Sequence, residues 1–281
     1  MIKSPKNLWF AGPGTNPQAR LRLFCFPYAG GGALIYRNWH KFLPRDVELL
    51  AVQLPGRETR LKEPPFTRLL TLLRALAPVL LPFLDKPFAF FGHSLGALLC
   101  FEMARQIRRE YGMSPAHVFV SGRGAPHVRK AHSPIHALPE AELVEELRNL
   151  NGTPEAVLEH KELLKLVLPA LRADFSLCEN YEYYYEEPLD CAISAYGGLQ
   201  DIDTSVERLE AWSDQTTGSF CLSTFPGDHF FLHSSQSLLL RRLSEELQQI
   251  TNRISRSDGA KDSTVGINQI EYSSQSCSEL V

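Results

Sequence analysis

The fold is decided by the stretch Phe88-Ala89-Phe90-Phe91-Gly92-His93-Ser94-Leu95-Gly96. Its first four residues are continuously apolar, as in a strand covered on both faces, and an amphipathic helical pattern begins at Leu95. The pattern GxSxG lies between them, and its two glycines remove the Cβ atoms that would clash in a sharp turn. This context predicts a strand, a tight turn and a helix, with Ser94 exposed at the apex as a nucleophile. An ordinary strand-to-helix turn is the alternative.

The rest of the chain repeats this alternation. Runs rich in β-branched and aromatic residues predict strands at 21–26, 47–54, 88–91, 117–121, 191–196 and 220–225. Helical patterns occur at 66–84, 95–109 and 234–250. Continuously apolar strands that alternate with helices are typical of a mostly parallel α/β sheet with helices on both faces.

A helical region interrupts the predicted sheet. The strand signal disappears between 126 and 188, where helical patterns occupy 140–150, 154–160 and 162–185. We predict a helical lid inserted over about 127–188, with helices that merely cover a sheet edge as the alternative. Beyond 252 the sequence turns polar, and we expect residues 253–281 to be a disordered tail because they offer little apolar surface to bury.

Composition limits the class of protein. The chain has 281 residues, 44% of them hydrophobic and 22% charged, and can bury one large core. Its net charge of −3, without a dense Lys/Arg cluster, predicts no nucleic-acid partner. Residues 1–20 are broken by prolines and glycines, unlike a signal peptide, and the apolar stretch 76–84 is shorter than the roughly 20 residues that span a bilayer. We expect a cytoplasmic protein without membrane insertion. The six cysteines lack metal-ligand spacing, so we predict no metal site.

A serine nucleophile needs a histidine base, and the base needs an orienting acid. In a fold with a serine on this kind of strand-to-helix turn, called a nucleophile elbow, the order along the chain is serine, acid, histidine. His229 follows the last predicted strand, where its loop can reach Ser94, and is the predicted base, with His233 second. The acid should follow strand 191–196. Asp201 comes first after the glycines there and is preferred to Asp203, although either aspartate could instead cap the next helix.

Two backbone amides are expected to hold the oxyanion of the substrate. One is that of Leu95, directly after the nucleophile. The other should come from the loop Pro27-Tyr28-Ala29-Gly30-Gly31-Gly32 after strand 21–26, where we assign Ala29, with Tyr28 as the alternative. The glycine run lacks the spacing of a dinucleotide site, so we predict no cofactor.

Several motifs together resemble one family, the type II thioesterases of the α/β-hydrolase fold. The resemblance covers about residues 20–250, which defines 1–20 as an N-terminal extension and 21–252 as the catalytic domain. The motifs are Phe26-Pro27-Tyr28-Ala29-Gly30-Gly31, Leu54-Pro55-Gly56-Arg57-Glu58, Phe91-Gly92-His93-Ser94-Leu95-Gly96, Gly152-Thr153-Pro154, Leu171-Arg172-Ala173-Asp174 and Asp228-His229-Phe230-Phe231.

The resemblance implies a function and a partner. Members of this family remove acyl groups from the phosphopantetheine arm of carrier proteins of fatty-acid, polyketide and nonribosomal-peptide synthases, under a mobile helical lid. Ser94, Asp201 and His229 match the triad positions of the family, and Arg57 receives no catalytic role. One departure is Asp228, which stands where the family more often has a glycine. An acyltransferase or general esterase on the same scaffold, and a non-catalytic binding protein, are the alternatives.

Overall fold

The computed structural model of the chain describes residues 8–12, 14–128 and 134–268. These residues form a seven-stranded sheet in the order β1-β3-β2-β4-β5-β6-β7, in which every pairing is parallel except that of β1 with β3. The strands are β1 Phe10–Ala11, β2 Leu21–Phe26, β3 Val47–Val52, β4 Phe88–His93, β5 His117–Ser121, β6 Ala192–Gly198 and β7 Phe220–Phe225.

Helices cover both faces of this sheet. They are α1 Leu69–Leu80, α2 Leu95–Tyr111, α3 Glu140–Asn149, α4 Glu155–Leu158, α5 Lys161–Glu179, α6 Val206–Glu210, α7 Phe231–Ser234 and α8 Gln236–Asn268. Because successive strand residues point to opposite faces, Phe24 and Phe90 pack against α1 and α2, whereas Leu23 and Phe91 belong to the core beneath α8. Burial on both faces explains why these strands are continuously apolar. The predicted fold class is confirmed.

The helical insertion has a core of its own. Helices α3, α4 and α5 lie between β5 and β6, as predicted, and share a cluster of leucines. We call this the lid cluster; it comprises Leu143, Leu147, Leu158, Leu164, Leu168 and Leu171. Toward its end α5 leaves the cluster and places Leu177 in the main core. The insertion is therefore anchored at its C-terminal side.

Helix α5 ends at Glu179, earlier than the predicted 185. The segment that follows has no regular secondary structure, and α2 holds its backbone. Arg105 donates to the carbonyl of Tyr184, and Arg108 donates to the carbonyls of Glu187 and Pro188, at 2.6 Å each. These tertiary hydrogen bonds override the helical propensity of the sequence.

The two ends of the described chain also differ from the predictions. Strand β1 was not predicted, because two residues carry no periodicity and become a strand only by pairing with β3. Helix α8 does not end at 250 but continues to Asn268, so the predicted disordered tail begins inside a helix. Ile254 packs against the core and extends the buried face of α8 past the predicted boundary. Residues 269–281 lie outside the described part of the chain.

No helix among the described residues is long and apolar enough to cross a membrane.

Candidate active site

Ser94 occupies a strained turn between β4 and α2. Its backbone angles are φ 53° and ψ −110°, a combination that costs a residue with a side chain on the order of 1–3 kcal/mol. The flanking glycines make the turn possible, because a Cβ on Gly92 would lie 2.1 Å from the carbonyl oxygen of Gly96. The Ser94 amide donates to the carbonyl of Ser121 at 2.8 Å, which fixes the turn to β5. The half-buried serine stands at the N-terminus of α2, where the helix dipole favours negative charge.

His229 is paired with a buried carboxylate. Its Nδ1 lies 2.8 Å from Oδ2 of Asp201, whose side chain is 0% exposed. The other oxygen, Oδ1, accepts the backbone N–H groups of Asp203 at 2.9 Å and Thr204 at 3.1 Å. The Asp201 carboxylate therefore meets the histidine, whereas Asp203 contributes a backbone donor that orients that carboxylate.

The other two histidines near the site have different partners. His93 is fully buried with Nδ1 2.9 Å from Oγ of Ser121, and burial lowers the pKa of its imidazole well below the usual 6.5. Its ring lies 5.1 Å from that of His229, so a neutral His93 adds no charge beside the candidate base. His233 meets the Tyr28 hydroxyl at 2.9 Å through Nε2, and partial burial lowers its pKa too.

The glycine loop after β2 adjoins the start of α2. A Cβ on Gly96 would lie 2.2 Å from the carbonyl oxygen of Phe26, so the residue after Leu95 packs closely on the end of β2, where the glycine loop begins. In the described part of the chain neither the Ala29 nor the Leu95 amide donates a hydrogen bond to the protein. Both predicted oxyanion donors are thus available to a substrate oxygen.

The lid contacts both loops of the site. Leu171 of α5 packs on Gly30, where an added Cβ would lie 2.4 Å from its Cδ2. On the other side, Nδ2 of Asn151 donates to Oδ2 of Asp228 at 3.1 Å, and Gly152 lies against the ring of Phe230, next to His229. The lid therefore covers the glycine loop and the histidine loop in this conformation.

Two charged residues beside the site received no role from the sequence. Arg57, in the loop after β3, and Asp174, on α5, form a buried ion pair against the glycine loop. Their motifs, Leu54-Pro55-Gly56-Arg57-Glu58 and Leu171-Arg172-Ala173-Asp174, belong to the family resemblance, but nothing in either sequence indicates that the two side chains meet.

The serine turn follows β4 and the helical insertion follows β5, and these positions define the class of protein. A serine at a nucleophile elbow, with a histidine–carboxylate pair from the loops after β7 and β6, is the arrangement of serine hydrolases of the α/β-hydrolase fold. Residues 21–247 match the family described as "Thioesterase domain". The chain belongs to this family and is an enzyme that hydrolyses thioesters.

Individual relatives narrow the comparison. The chain is 45% identical over 247 residues to the gramicidin S biosynthesis protein GrsT of Aneurinibacillus migulanus, covering 88% of this chain and 96% of that protein. It is 50% identical over 243 residues to a protein of Brevibacillus parabrevis named linear gramicidin dehydrogenase LgrE, covering 85% of this chain and 92% of that protein. Among solved structures, the type II thioesterase BorB from the borrelidin biosynthetic cluster superimposes with a TM-score of 0.79 at 37% identity, covering 87% of this chain and all of that one.

Proposed function

We propose that this thioesterase removes acyl groups from the phosphopantetheine arm of carrier proteins in a multi-enzyme synthase, either to edit stalled units or to release a product. The observation that carries the chemical part is the Asp201–His229 hydrogen bond, whose histidine ring lies 5.1 Å from that of His93, the residue before Ser94. The carrier part is supported by relatives such as GrsT and BorB, whose names tie them to the assembly of gramicidin S and borrelidin.

In the proposed mechanism His229 acts through Nε2 as the base that takes the Ser94 proton, because Nδ1 is engaged by Asp201. Ser94 Oγ attacks the thioester carbonyl, and the amides of Ala29 and Leu95 stabilise the oxyanion. The tetrahedral intermediate collapses, the C–S bond breaks, and His229 returns the proton to the leaving thiolate. Water, activated by the same histidine, then attacks the acyl-enzyme and releases the acid.

The name of LgrE raises a dehydrogenase as a competing function. Nothing in the glycine loop of this chain favours it. The run Gly30-Gly31-Gly32 lacks the GxGxxG spacing of a dinucleotide fold, and the Gly30 amide is not available to a phosphate because it already donates to the Asp174 carboxylate at 2.7 Å. The loop instead suits an oxyanion site.

The carrier proposal is tested by comparing kcat/KM for one acyl group on three supports: a carrier protein, CoA and an oxygen ester. Contacts with the carrier supply remote binding energy, so we expect the order carrier, then CoA, then ester. Equal values for carrier and CoA would remove the carrier from the proposal, and faster ester cleavage would indicate a general esterase.

Two further measurements address the remaining alternatives. Product analysis with added alcohol or amine acceptors separates hydrolysis from acyl transfer. Labelling by a fluorophosphonate tests whether Ser94 is an activated nucleophile. His229→Gln is the variant expected to lose labelling. His233→Gln is its matched control, since His233 lies in α7 and His229 lies just before this helix. If His229→Gln were labelled as fast as both His233→Gln and the wild type, His229 could not be the base.

A further inference from the structure

The Arg57–Asp174 pair is buried and bidentate. Nη1 of Arg57 lies 2.5 Å from Oδ2 of Asp174, and Nη2 lies 2.8 Å from Oδ1, with side chains only 7% and 1% exposed. Removing two charges from water costs several kcal/mol for each ion, and replacing such a pair by apolar residues is often neutral or stabilising. A contribution to the stability of the fold is therefore a weak explanation for the presence of this ion pair.

Both members of the pair form hydrogen bonds with the glycine loop. Oδ2 of Asp174 accepts the Gly30 amide at 2.7 Å, and Nη1 of Arg57 donates to the Gly31 carbonyl at 3.0 Å. The first contact fixes the Ala29–Gly30 peptide, which adjoins the peptide that carries the proposed Ala29 donor, and the second fixes the Gly31–Gly32 peptide further along the loop. An oxyanion donor acts only when it is preorganised, because it must be aimed before charge develops on the substrate.

The two residues come from different parts of the fold. Arg57 belongs to the loop after β3 and also donates to the Pro55 carbonyl at 3.3 Å, whereas Asp174 lies on α5 of the lid. One helical turn before Asp174, Leu171 packs on Gly30. If α5 moved outward, the Gly30 amide would lose its acceptor and Arg57 would lose its carboxylate in the same motion.

We propose that Asp174 and Arg57 are positioning residues that couple the docking of α5 to the formation of the oxyanion hole at Ala29. The lid then does more than cover the acyl group, because the active geometry of the glycine loop exists only while α5 is docked. By linkage, a substrate that uses the oxyanion hole stabilises the docked lid to the same extent. This inference rests on the proposed function, in which the Ala29 amide binds the oxyanion.

The test uses graded variants of the whole chain. Asp174→Ala removes the acceptor, Asp174→Asn keeps one acceptor oxygen, and the double variant Arg57→Met with Asp174→Leu replaces the pair by apolar side chains. Glu48→Gln is the matched control, since it weakens another buried pair, Arg22–Glu48 at 2.7 Å, at the far ends of β2 and β3. Each variant is assayed for melting temperature, for kcat and KM on octanoyl-CoA, and for binding of two inhibitors.

The inhibitors separate positioning from folding. An octyl trifluoromethyl ketone forms a hemiketal with serine, whose oxyanion occupies the hole, while the thioether S-octyl-CoA mimics the ground state. We expect Asp174→Ala to lose about 10- to 100-fold in kcat and a similar factor in ketone affinity, with KM and thioether affinity nearly unchanged. Asp174→Asn should fall between Asp174→Ala and the wild type. The double variant should recover its melting temperature but not kcat, and Glu48→Gln should lose stability without losing kcat.

Two results would overturn the inference. One is recovery of kcat together with melting temperature in the double variant, which would make the pair purely structural. The other is an unchanged ketone affinity in Asp174→Ala. A failure of the proposed function is distinguishable from both, because it would show as full turnover by Ser94→Ala in the otherwise unmodified chain.

Discussion

Replacing Asp201 by Asn tests the triad with a change of one atom. In the native site Oδ1 accepts two backbone N–H groups, from Asp203 and Thr204, while Oδ2 faces Nδ1 of His229. The amide oxygen of asparagine must occupy the Oδ1 position, because an NH₂ group there would oppose two donors. The NH₂ group therefore points at His229, and Nδ1 has to become an acceptor.

This change of tautomer determines how much kcat is lost. With Nδ1 accepting, the imidazole proton moves to Nε2, which then has no lone pair for the Ser94 proton. Loss of the correct tautomer and of the stabilising charge costs about 10⁴-fold in kcat, or about 5.5 kcal/mol in activation free energy. The fold should be retained, because the substitution is isosteric and keeps both hydrogen bonds to Oδ1.

The assay is thiol release from an acyl-CoA, followed in parallel with thermal unfolding. Asp203→Asn is the control. Asp203 contributes only its backbone N–H to the Asp201 carboxylate, and asparagine keeps that N–H, so we expect a rate close to that of the wild type. A larger loss in Asp203→Asn than in Asp201→Asn would move the acid to Asp203. An Asp201→Asn rate within about tenfold of the wild type would refute the tautomer argument.

Three other outcomes are expected. Ser94→Ala should abolish hydrolysis and change stability little, because alanine keeps the Cβ and therefore the same backbone strain at φ 53°, which activity and melting curves together would check. Gly30→Ala should impair kcat and displace the lid, since the new Cβ would meet Leu171 at 2.4 Å; wild-type activity with an unchanged lid would contradict this. Burial lowers the pKa of His93 well below 6.5 and that of His117 to about 3, so the folded chain favours the neutral form of both imidazoles. The unfolded chain binds a proton at His117 below about pH 6.5, whereas the folded chain does so only near pH 3, so the free energy of unfolding should fall as the pH falls through this window by up to about 1.4 kcal/mol per pH unit for His117, and His93 acts in the same direction. Urea titrations would measure this, and an unchanged slope in His117→Gln would contradict it.

Much of the sheet could be predicted because its signals are local. Strands β2, β5 and β7 have the predicted bounds, since each is a short run rich in β-branched or aromatic residues. Strand β1 could not be predicted because it exists only through pairing with β3. The end of α8 was also missed, as the packing of Ile254 depends on how the helix lies on the sheet.

The same distinction applies to the candidate site. Ser94 and Gly92 were recognisable because the turn needs these residue types at neighbouring positions. The meeting of Asp201 with His229 was predicted from chain order, and the structure brings these two side chains together. The Arg57–Asp174 pair was missed because its members are 117 residues apart, and only the docking of α5 brings them together.

The separate lid cluster has a consequence for how this enzyme can diversify. Its six leucines pack among themselves, apart from the two cores that hold the sheet. Pro169 interrupts the hydrogen bonding of α5 between Leu168 of that cluster and the half of the helix that carries Asp174. Exchanges among the five leucines that precede Pro169 can therefore reshape the lid while the strands, the turns and the Arg57–Asp174 pair stay as they are, whereas Leu171 follows Pro169 and packs on Gly30. Sequence change can accumulate in this part of the lid without disturbing the residues that form the candidate site.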